Sequence, residues 1–173
     1  MKKDIQKVLL SEEQIKAKVQ ELADQLMEEY ADKNPLFVGV LKGVVMFYSD
    51  IIRCFDAPCE LDFMWISSYK GTNSSGGMTV RQDLTRDIKD RHVVILEDIF
   101  DTGNSLDFTY KHILAKEPAS LRICTLLDKP ARRTVDVKGD YIGFMVEDLF
   151  IVGYGLDFDQ KYRNLPYISY LEG

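Results

Sequence analysis

The chain has 173 residues, of which 46% are hydrophobic and 29% are charged, and this composition predicts one globular domain. The formal net charge is −6, with 28 acidic and 22 basic residues, which argues against nucleic acid as the main partner. No apolar run approaches the roughly 20 residues of a membrane-spanning helix, and three cysteines without C-x-x-C spacing predict a reducing, cytoplasmic location.

The first predicted helix runs from Glu12 to Tyr30. Ser11 and Gln14 before it form a capping-box pattern, and apolar residues then recur at helical spacing. The short apolar run Leu36–Leu41 follows and predicts a strand that is buried on both faces of a parallel sheet.

Further helices and strands alternate along the rest of the chain. The predicted helices are Val44–Phe55 and Ser105–Lys116, and the predicted strands are Leu61–Ser67, Val93–Leu96, Leu121–Leu127 and Tyr141–Val146. This alternation predicts an α/β fold with a mostly parallel, twisted sheet flanked by helices. The segment Tyr69–Met78 is small, polar and rich in glycine, which predicts a mobile loop or, alternatively, a plain hairpin connection.

The segment 93–106, VVILEDIFDTGNSL, contains the most informative residues. Glu97 and Asp98 follow an apolar strand, and a turn of small polar residues, Asp101–Ser105, leads into a helix. Such a turn can direct backbone N–H groups and the positive end of the helix at one phosphate. It lacks the spacing of a Walker A loop and of G-x-G-x-x-G, which argues against nucleotide hydrolysis and dinucleotide binding.

Two adjacent carboxylates at the end of a buried strand suit a sugar or a metal ion. Glu97 and Asp98 could accept hydrogen bonds from vicinal hydroxyls or bind a hydrated Mg²⁺, which prefers oxygen ligands. The alternative is a solvated loop in which Glu97, Asp98 and Asp101 have no ligand.

The same segment resembles the phosphoribosyl pyrophosphate signature of the type I phosphoribosyltransferases, in which a strand runs into E-D-x-x-D-T-G-x-[ST]. The resemblance narrows to the bacterial hypoxanthine (hypoxanthine-guanine) phosphoribosyltransferases through LKG at 41–43, SSY at 67–69, LLDKPARR at 126–133 and EDLFIVGYGLDFDQKYRNLPYI at 147–168. It covers nearly the whole chain. It implies a type I phosphoribosyltransferase domain over 1–173, with a core of about 36–146 and a small hood from about 1–10 and 147–173.

The activity implied by the resemblance is that of a glycosyltransferase in purine salvage. Such an enzyme transfers the 5-phosphoribosyl group of phosphoribosyl pyrophosphate to a 6-oxopurine, hypoxanthine and also guanine, and releases IMP or GMP and pyrophosphate. Mg²⁺ is the implied cofactor, and the implied assembly is a homodimer or homotetramer in the cytoplasm.

The resemblance also implies a role for each matching residue. Those implied for the 5-phosphate and ribose are Glu97, Asp98, Asp101, Thr102, Gly103, Asn104 and Ser105. Those implied for pyrophosphate are Lys42, Gly43, Ser68, Tyr69 and Arg163. Those implied for the base are Lys129, Phe150, Ile151 and Asp157, and those implied for the metal are Glu97, Asp98 and Asp157.

Some of these implied roles can be compared with the chemistry of the side chains. Asp101 would accept a proton from the base as the glycosidic bond forms, and it is the implied catalytic residue. Lys129 would donate to the oxygen at purine position 6. An amino group at that position could not accept this hydrogen bond, which explains a preference for 6-oxopurines over adenine. The segment 68–78 would close over the site as a lid. For Arg163, a surface ion pair is the rival interpretation.

Two other functions remain possible on the same fold. One is a phosphoribosyltransferase-like regulator that senses a nucleotide and binds RNA or DNA without catalysis, and the other is a relative that acts on another base. The regulator should carry a basic face, whereas this chain is acidic and retains Lys42, Asp101, Lys129 and Asp157. A relative specific for orotate or adenine would share the phosphate turn but not the LLDKP and FIVGYGLD segments.

Overall fold

The computed structural model describes residues 7–68 and 77–171. The helices of this part of the chain are α1 (Glu12–Tyr30), α2 (Val45–Cys54) and α3 (Asn104–Leu114). Its strands are β1 (Lys7–Leu10), β2 (Leu36–Leu41), β3 (Glu60–Ser68), β4 (Met78–Gln82), β5 (His92–Phe100), β6 (Ser120–Asp128), β7 (Tyr141–Met145), β8 (Phe150–Val152) and β9 (Ile168–Leu171). A short 3-10 helix, Pro130–Arg132, follows β6.

The main sheet has six strands in the order β4-β3-β2-β5-β6-β7. All neighbouring pairs from β3 to β7 are parallel, and β4 is antiparallel to β3 at one edge. The predicted α/β fold with a mostly parallel sheet is therefore confirmed. Because β2, β5 and β6 are parallel, the residues that follow them lie at the same edge of the sheet, where ligands of such folds bind.

Helices cover both faces of this sheet. Side chains alternate between the faces along a strand, so Val94 and Leu96 of β5 pack in the cluster formed with α1 and α2. Val93 and Ile95 pack in the opposite cluster, which contains the buried residues of α3. All four side chains are fully buried, as expected of a strand in the centre of a two-sided parallel sheet.

The start of α1 shows how the local sequence determines an element. The Gln14 N–H donates to Ser11 Oγ at 3.2 Å, and the Ser11 N–H donates to Gln14 Oε1 at 2.8 Å, which is the predicted capping box. The helix then buries a stripe with helical spacing, formed by Ile15, Val19, Leu22, Ala23, Leu26 and Tyr30. The predicted bounds of this helix are confirmed to the residue.

Two sequence-based expectations differ most from the structure, while the other predicted bounds lie within two residues of those observed. The strand predicted to end at Leu96 continues to Phe100, because its ladder with β6 extends through the Phe100–Asp128 pair. Glu97 and Asp98 therefore belong to the strand and do not follow it. The second difference is the strand β4, which the sequence did not predict. Its antiparallel pairing with β3 agrees with the alternative of a hairpin connection; most of the connecting segment, 69–76, lies outside the described residues.

A second sheet has three antiparallel strands in the order β1-β9-β8. It joins the start of the chain to its last described strand, for example through the pairing of Lys7 with Tyr170. It lies close to the end of β6, since Lys129, which follows β6, donates through Nζ to the carbonyl oxygen of Leu149, which precedes β8, at 2.8 Å. No helix within residues 7–68 and 77–171 is long and apolar enough to cross a membrane.

Candidate active site

The carboxylates of Glu97 and Asp98 lie in the last part of β5, and Asp98 is only 7% exposed. Burial raises the pKa of the Glu97 carboxyl well above its usual value, and the neighbouring Asp98 raises it further. Burial also raises the pKa of Asp98. Two buried carboxylates side by side are costly when both are ionised, so this position favours a bound cation or a hydroxyl donor.

Gly43 brings the loop after β2 against this pair. A Cβ atom at position 43 would lie 2.2 Å from Asp98 Oδ2, which no side chain could tolerate without displacing the carboxylate. The absence of a side chain at Gly43 therefore allows the loop to pack directly on Asp98. Lys42 precedes it and is exposed, with its ammonium 6.0 Å from the centre of the Trp65 ring.

A tight turn connects β5 to α3. Gly103 has φ +88°, and a Cβ atom there would lie 2.4 Å from Val135 Cγ2, so the turn requires glycine. The helix then begins at Asn104, and its first N–H groups have no carbonyl one turn earlier to bond. A cleft of about 150 Å³, which we call the turn cleft, follows the segment 97–106. It gives an anion access to this positive helix terminus.

A larger cleft of about 390 Å³, the Lys129 cleft, lies beside the turn. The side chain of Lys129 is only 4% exposed, and its ammonium lies 3.9 Å from Asp101 Oδ2 and 3.7 Å from Asp148 Oδ1. Asp101 Oδ1 is buried and has no hydrogen-bond partner within the described residues. Asp101 and Lys129 thus both line this cleft, and the unpaired Asp101 oxygen lies just behind its wall, as expected where a polar ligand completes the bonding.

The walls of the Lys129 cleft contain, besides Lys129, two further predicted base-binding residues. Phe150 is 52% exposed and packs edge-to-face on Phe158 at 5.4 Å, which leaves ring surface available for stacking. Ile151 is buried beside it in β8. The fourth, Asp157, is not among the residues that line this cleft.

Asp157 is instead paired with Arg163. Arg163 Nη2 lies 2.8 Å from Asp157 Oδ1, and Nη1 of the same side chain donates to the carbonyl oxygen of Gly155 at 2.8 Å. The N–H of Gln160 donates to Asp157 Oδ2 at 2.8 Å. Arg163 is therefore in an ion pair, but this pair is partly buried and is not the surface pair of the rival interpretation. The charge of Arg163 also acts on Asp98, where it opposes the effect of burial on the pKa.

Comparisons with known proteins give the family of this fold and site. The model of the phosphoribosyl transferase domain matches residues 6–159. The chain belongs to the phosphoribosyltransferase family. It is 47% identical over 173 residues to the hypoxanthine-guanine phosphoribosyltransferase of Bacillus subtilis, covering 99% of this chain and 96% of that protein.

Two further relatives extend this comparison. The hypoxanthine-guanine-xanthine phosphoribosyltransferase of Tritrichomonas foetus is 44% identical over 173 residues, covering 99% of this chain and 94% of that protein. The crystal structure of a hypoxanthine phosphoribosyltransferase from Staphylococcus aureus superimposes with a TM-score of 0.94 at 44% identity, covering 99% of this chain and 94% of that one. The predicted resemblance to this family of phosphoribosyltransferases is confirmed.

The structure brings only part of the predicted phosphoribosyltransferase site into the two clefts. Glu97, Asp98, Asp101, Thr102, Gly103 and Ser105 line the turn cleft, and Asp101, Lys129, Phe150 and Ile151 line the Lys129 cleft. Asn104 is the exposed first residue of α3, next to the turn. Ser68 is at the exposed end of β3, and Tyr69 lies outside the described residues.

Metal binding by this phosphoribosyltransferase chain would depend on ligands from the substrate and water. No cluster of three or more His, Cys, Asp and Glu side chains suited to a metal ion occurs in residues 7–68 and 77–171. The buried Glu97–Asp98 pair, whose pKa values are raised, nevertheless fits Mg²⁺, which keeps several waters and needs only one or two protein carboxylates. Asp157 would have to release Arg163 before it could contribute.

Sequence reasoning assigned no role to three residues that the structure places at the site. Arg132 and Asp148 line the Lys129 cleft, with Arg132 Nη1 3.4 Å from Asp101 Oδ2. Arg133 donates to the backbone of the turn. For the two arginines the available signal was the LLDKPARR segment, because residues that follow β6 must lie next to those that follow β5 in a parallel sheet.

Proposed function

We propose that this protein is a purine-salvage enzyme that transfers the 5-phosphoribosyl group of phosphoribosyl pyrophosphate to hypoxanthine or guanine. The main observation in support of this proposal is the position of Asp101, which lines both the turn cleft and the Lys129 cleft. One oxygen of its carboxylate is buried and has no hydrogen-bond partner in the described part of the chain. A phosphorylated sugar in one cleft and a flat base in the other would meet at this carboxylate. Membership of the phosphoribosyltransferase family supports this assignment.

The turn and the carboxylate pair would hold the phosphoribosyl group. The 5-phosphate would accept hydrogen bonds from backbone N–H groups of 102–105 and from the hydroxyls of Thr102 and Ser105. Glu97 and Asp98 would accept from the ribose hydroxyls. When bound there, Mg²⁺ would neutralise charge on the pyrophosphate, and we propose it as the cofactor because the pair fits such an ion.

The Lys129 cleft would hold and select the base. The Lys129 ammonium would donate to the oxygen at purine position 6, a position at which adenine offers only an amino group. The ring of Phe150 would stack on the base, and the backbone of Ile151 would contact its edge. This arrangement favours 6-oxopurines and argues against the proposal of an adenine-specific relative.

The transfer itself exchanges one bond for another at the ribose C1. The base nitrogen forms a bond to C1 while the C1–oxygen bond to pyrophosphate breaks, and the bonding electrons leave with pyrophosphate. The proton of the base nitrogen passes to the Asp101 carboxylate, one oxygen of which has no hydrogen-bond partner in the described residues. Lys42 and the Gly43 N–H would stabilise the charge on the departing pyrophosphate. Ser68, Tyr69 and Arg163 would also contact the pyrophosphate. The products are IMP or GMP together with pyrophosphate.

We also propose a single domain over 1–173, with a core of about 36–146 and a hood from about 1–10 and 147–173. Most of segment 68–78, for which the resemblance implies a lid, lies outside the described residues. Val45 and Met46 are 40% and 37% exposed on α2 and suit a contact between copies in a homodimer or homotetramer. Light scattering of the purified protein tests this assembly. A cytoplasmic location fits Cys54, Cys59 and Cys124, all of which are free thiols.

The direct test of the activity is a spectrophotometric assay of the purified protein with phosphoribosyl pyrophosphate, Mg²⁺ and one base at a time. We expect turnover of hypoxanthine and guanine and little of adenine. Turnover of adenine alone, or of no purine, would contradict the proposal. Tight nucleotide binding without turnover would favour a regulator on the same fold.

A further inference from the structure

The side chain of Arg133 holds the backbone on both sides of Asp101. Its Nη2 atom donates to the carbonyl oxygen of Phe100 at 3.2 Å, and its Nε atom donates to the carbonyl oxygen of Asp101 at 3.2 Å. These carbonyls belong to the two peptide units that flank the Asp101 Cα atom. Fixing both units fixes the direction in which the Asp101 side chain leaves the backbone.

Arg133 is itself held in place on two other sides. Its guanidinium forms an ion pair with Asp128, the last residue of β6, which is only 5% exposed. The carbon of the guanidinium also lies 3.1 Å from the centre of the Phe100 ring, so the group stacks on that ring. Since Asp128 pairs with Phe100 in the sheet, the arginine connects the turn to the rigid end of two adjacent strands.

The Asp101 carboxylate has few contacts of its own that could fix it. Its Oδ1 atom has no hydrogen-bond partner within the described residues. Its Oδ2 atom lies 3.4 Å from Arg132 and 3.9 Å from Lys129, which are long distances for hydrogen bonds. The direction of this carboxylate therefore depends mainly on the backbone that carries it.

We propose that Arg133 is a positioning residue for catalysis, which holds Asp101 toward the base by bonding the two flanking carbonyls. This inference rests on the proposed function and adds a residue to it. A loose general base lowers the rate of the chemical step much more than the affinity for substrates. Loss of Arg133 should therefore lower kcat with little change in KM.

A purely structural role is the competing explanation, because Asp128 would be buried without a partner if Arg133 were removed. Two variants separate these roles. Arg133→Lys keeps a positive charge beside Asp128 but cannot present the planar fork that reaches both carbonyls. The double variant Arg133→Met with Asp128→Asn removes the buried charge and the fork together.

The control is Arg91→Met, at the opposite end of β5. Arg91 has the same kind of contacts: its Nη2 atom donates to the carbonyl oxygen of Asn34 at 3.2 Å and pairs with Glu60 at 2.9 Å. The exposed fractions of the two arginine side chains are also close, 28% for Arg91 and 19% for Arg133. Its loss should lower thermal stability without affecting kcat.

The experiment measures kcat and KM for hypoxanthine and phosphoribosyl pyrophosphate, with the thermal midpoint of each variant. We expect kcat to fall about tenfold or more in Arg133→Lys and in the double variant, with KM changed less than about threefold. Wild-type kcat in either variant, or an equal loss in Arg91→Met, would overturn the inference while leaving the proposed function intact. A wild-type protein without turnover would instead overturn the proposed function, and this inference with it.

Discussion

Lys129 Nζ lies 3.9 Å from Asp101 Oδ2 and donates to the carbonyl oxygen of Leu149 at 2.8 Å. The ammonium has three donors, so this bond leaves others for a ligand in the Lys129 cleft. The buried lysine thus offers a charged donor to an oxygen but cannot accept from an amino group.

Replacing this lysine should weaken the choice of base. We expect Lys129→Gln to lower the ratio of kcat/KM for hypoxanthine over adenine by about 10- to 100-fold, because a charge-assisted hydrogen bond contributes about 1.5–3 kcal/mol. Steady-state kinetics with both bases measure the ratio. Lys111→Gln, an exposed change on α3, is the control; an unchanged ratio in Lys129→Gln would mean that base choice depends on other groups.

The unpaired oxygen of Asp101 predicts a chemical role for its carboxylate. Asp101→Asn should lower kcat by about 10²–10⁴-fold, the usual contribution of a general base, with a much smaller effect on substrate affinity. Kinetic constants and the calorimetric affinity for IMP provide the comparison, and Asp136→Asn, an exposed position after β6, should leave both unchanged. Equal losses of kcat and affinity would indicate that the carboxylate is structural.

Burial of the Glu97–Asp98 pair predicts that these carboxylates lower the stability of the ligand-free protein although turnover depends on them. Burial raises both pKa values in the folded protein. A carboxyl with a raised folded pKa contributes stability below its unfolded pKa, and this contribution is lost as the pH rises through the folded pKa. At neutral pH, the pair should therefore destabilise the protein in the absence of metal and substrate.

Glu97→Gln should relieve this destabilisation and lower turnover. We expect the metal-free variant to be more stable than the wild type by about 0.5–2 kcal/mol at pH 7, with the difference disappearing below about pH 4. Denaturant unfolding over a pH series measures it. A variant that is less stable than the wild type at pH 7 would show that the ionised pair is already compensated within the protein.

Substitutions of Gly43 and Gly155 should have different effects, because Gly43 packs on a functional carboxylate and Gly155 packs on the backbone. In Gly43→Ala the new Cβ meets Asp98 Oδ2, the end of a side chain that can rotate away, so turnover should fall with only about 1 kcal/mol of stability lost. In Gly155→Ala the Cβ would lie 2.0 Å from the backbone oxygen of Gly43, at φ +98°. Gly155→Ala should lose several times more stability than Gly43→Ala, as measured by denaturant unfolding. Full activity of Gly43→Ala would contradict the proposed role of Asp98.

Local sequence determined some elements and tertiary contacts determined others. The bounds of α1 could be predicted because Ser11 and Gln14 cap it and its apolar stripe has an unambiguous period. β5 was predicted too short because its apolar run stops at Leu96, while the hydrogen bonds to β6 continue through polar residues to Phe100. Strand β4 was missed because an edge strand exposes most of its side chains and lacks a clear pattern.

The site could be predicted where residues are adjacent in sequence and could not where the contacts come from distant segments. The turn at Asp101–Ser105 is local, and its glycine has the positive φ that such a turn requires. The bonds from Arg133 to Phe100 and Asp101 span more than 30 residues and depend on the register of β5 with β6. The pairing of Arg163 with Asp157 likewise depends on the folding of the segment 153–165.

The central claim is that one turn binds a phosphate while the adjacent cleft binds the base. A crystal structure of the protein with IMP and Mg²⁺ tests it most directly. We predict that the phosphate accepts hydrogen bonds from the backbone N–H groups of 103–105, and that the purine lies between Lys129 and Phe150. A phosphate bound elsewhere, such as in the 460 Å³ cavity beside Arg163 and Arg53, would contradict the account.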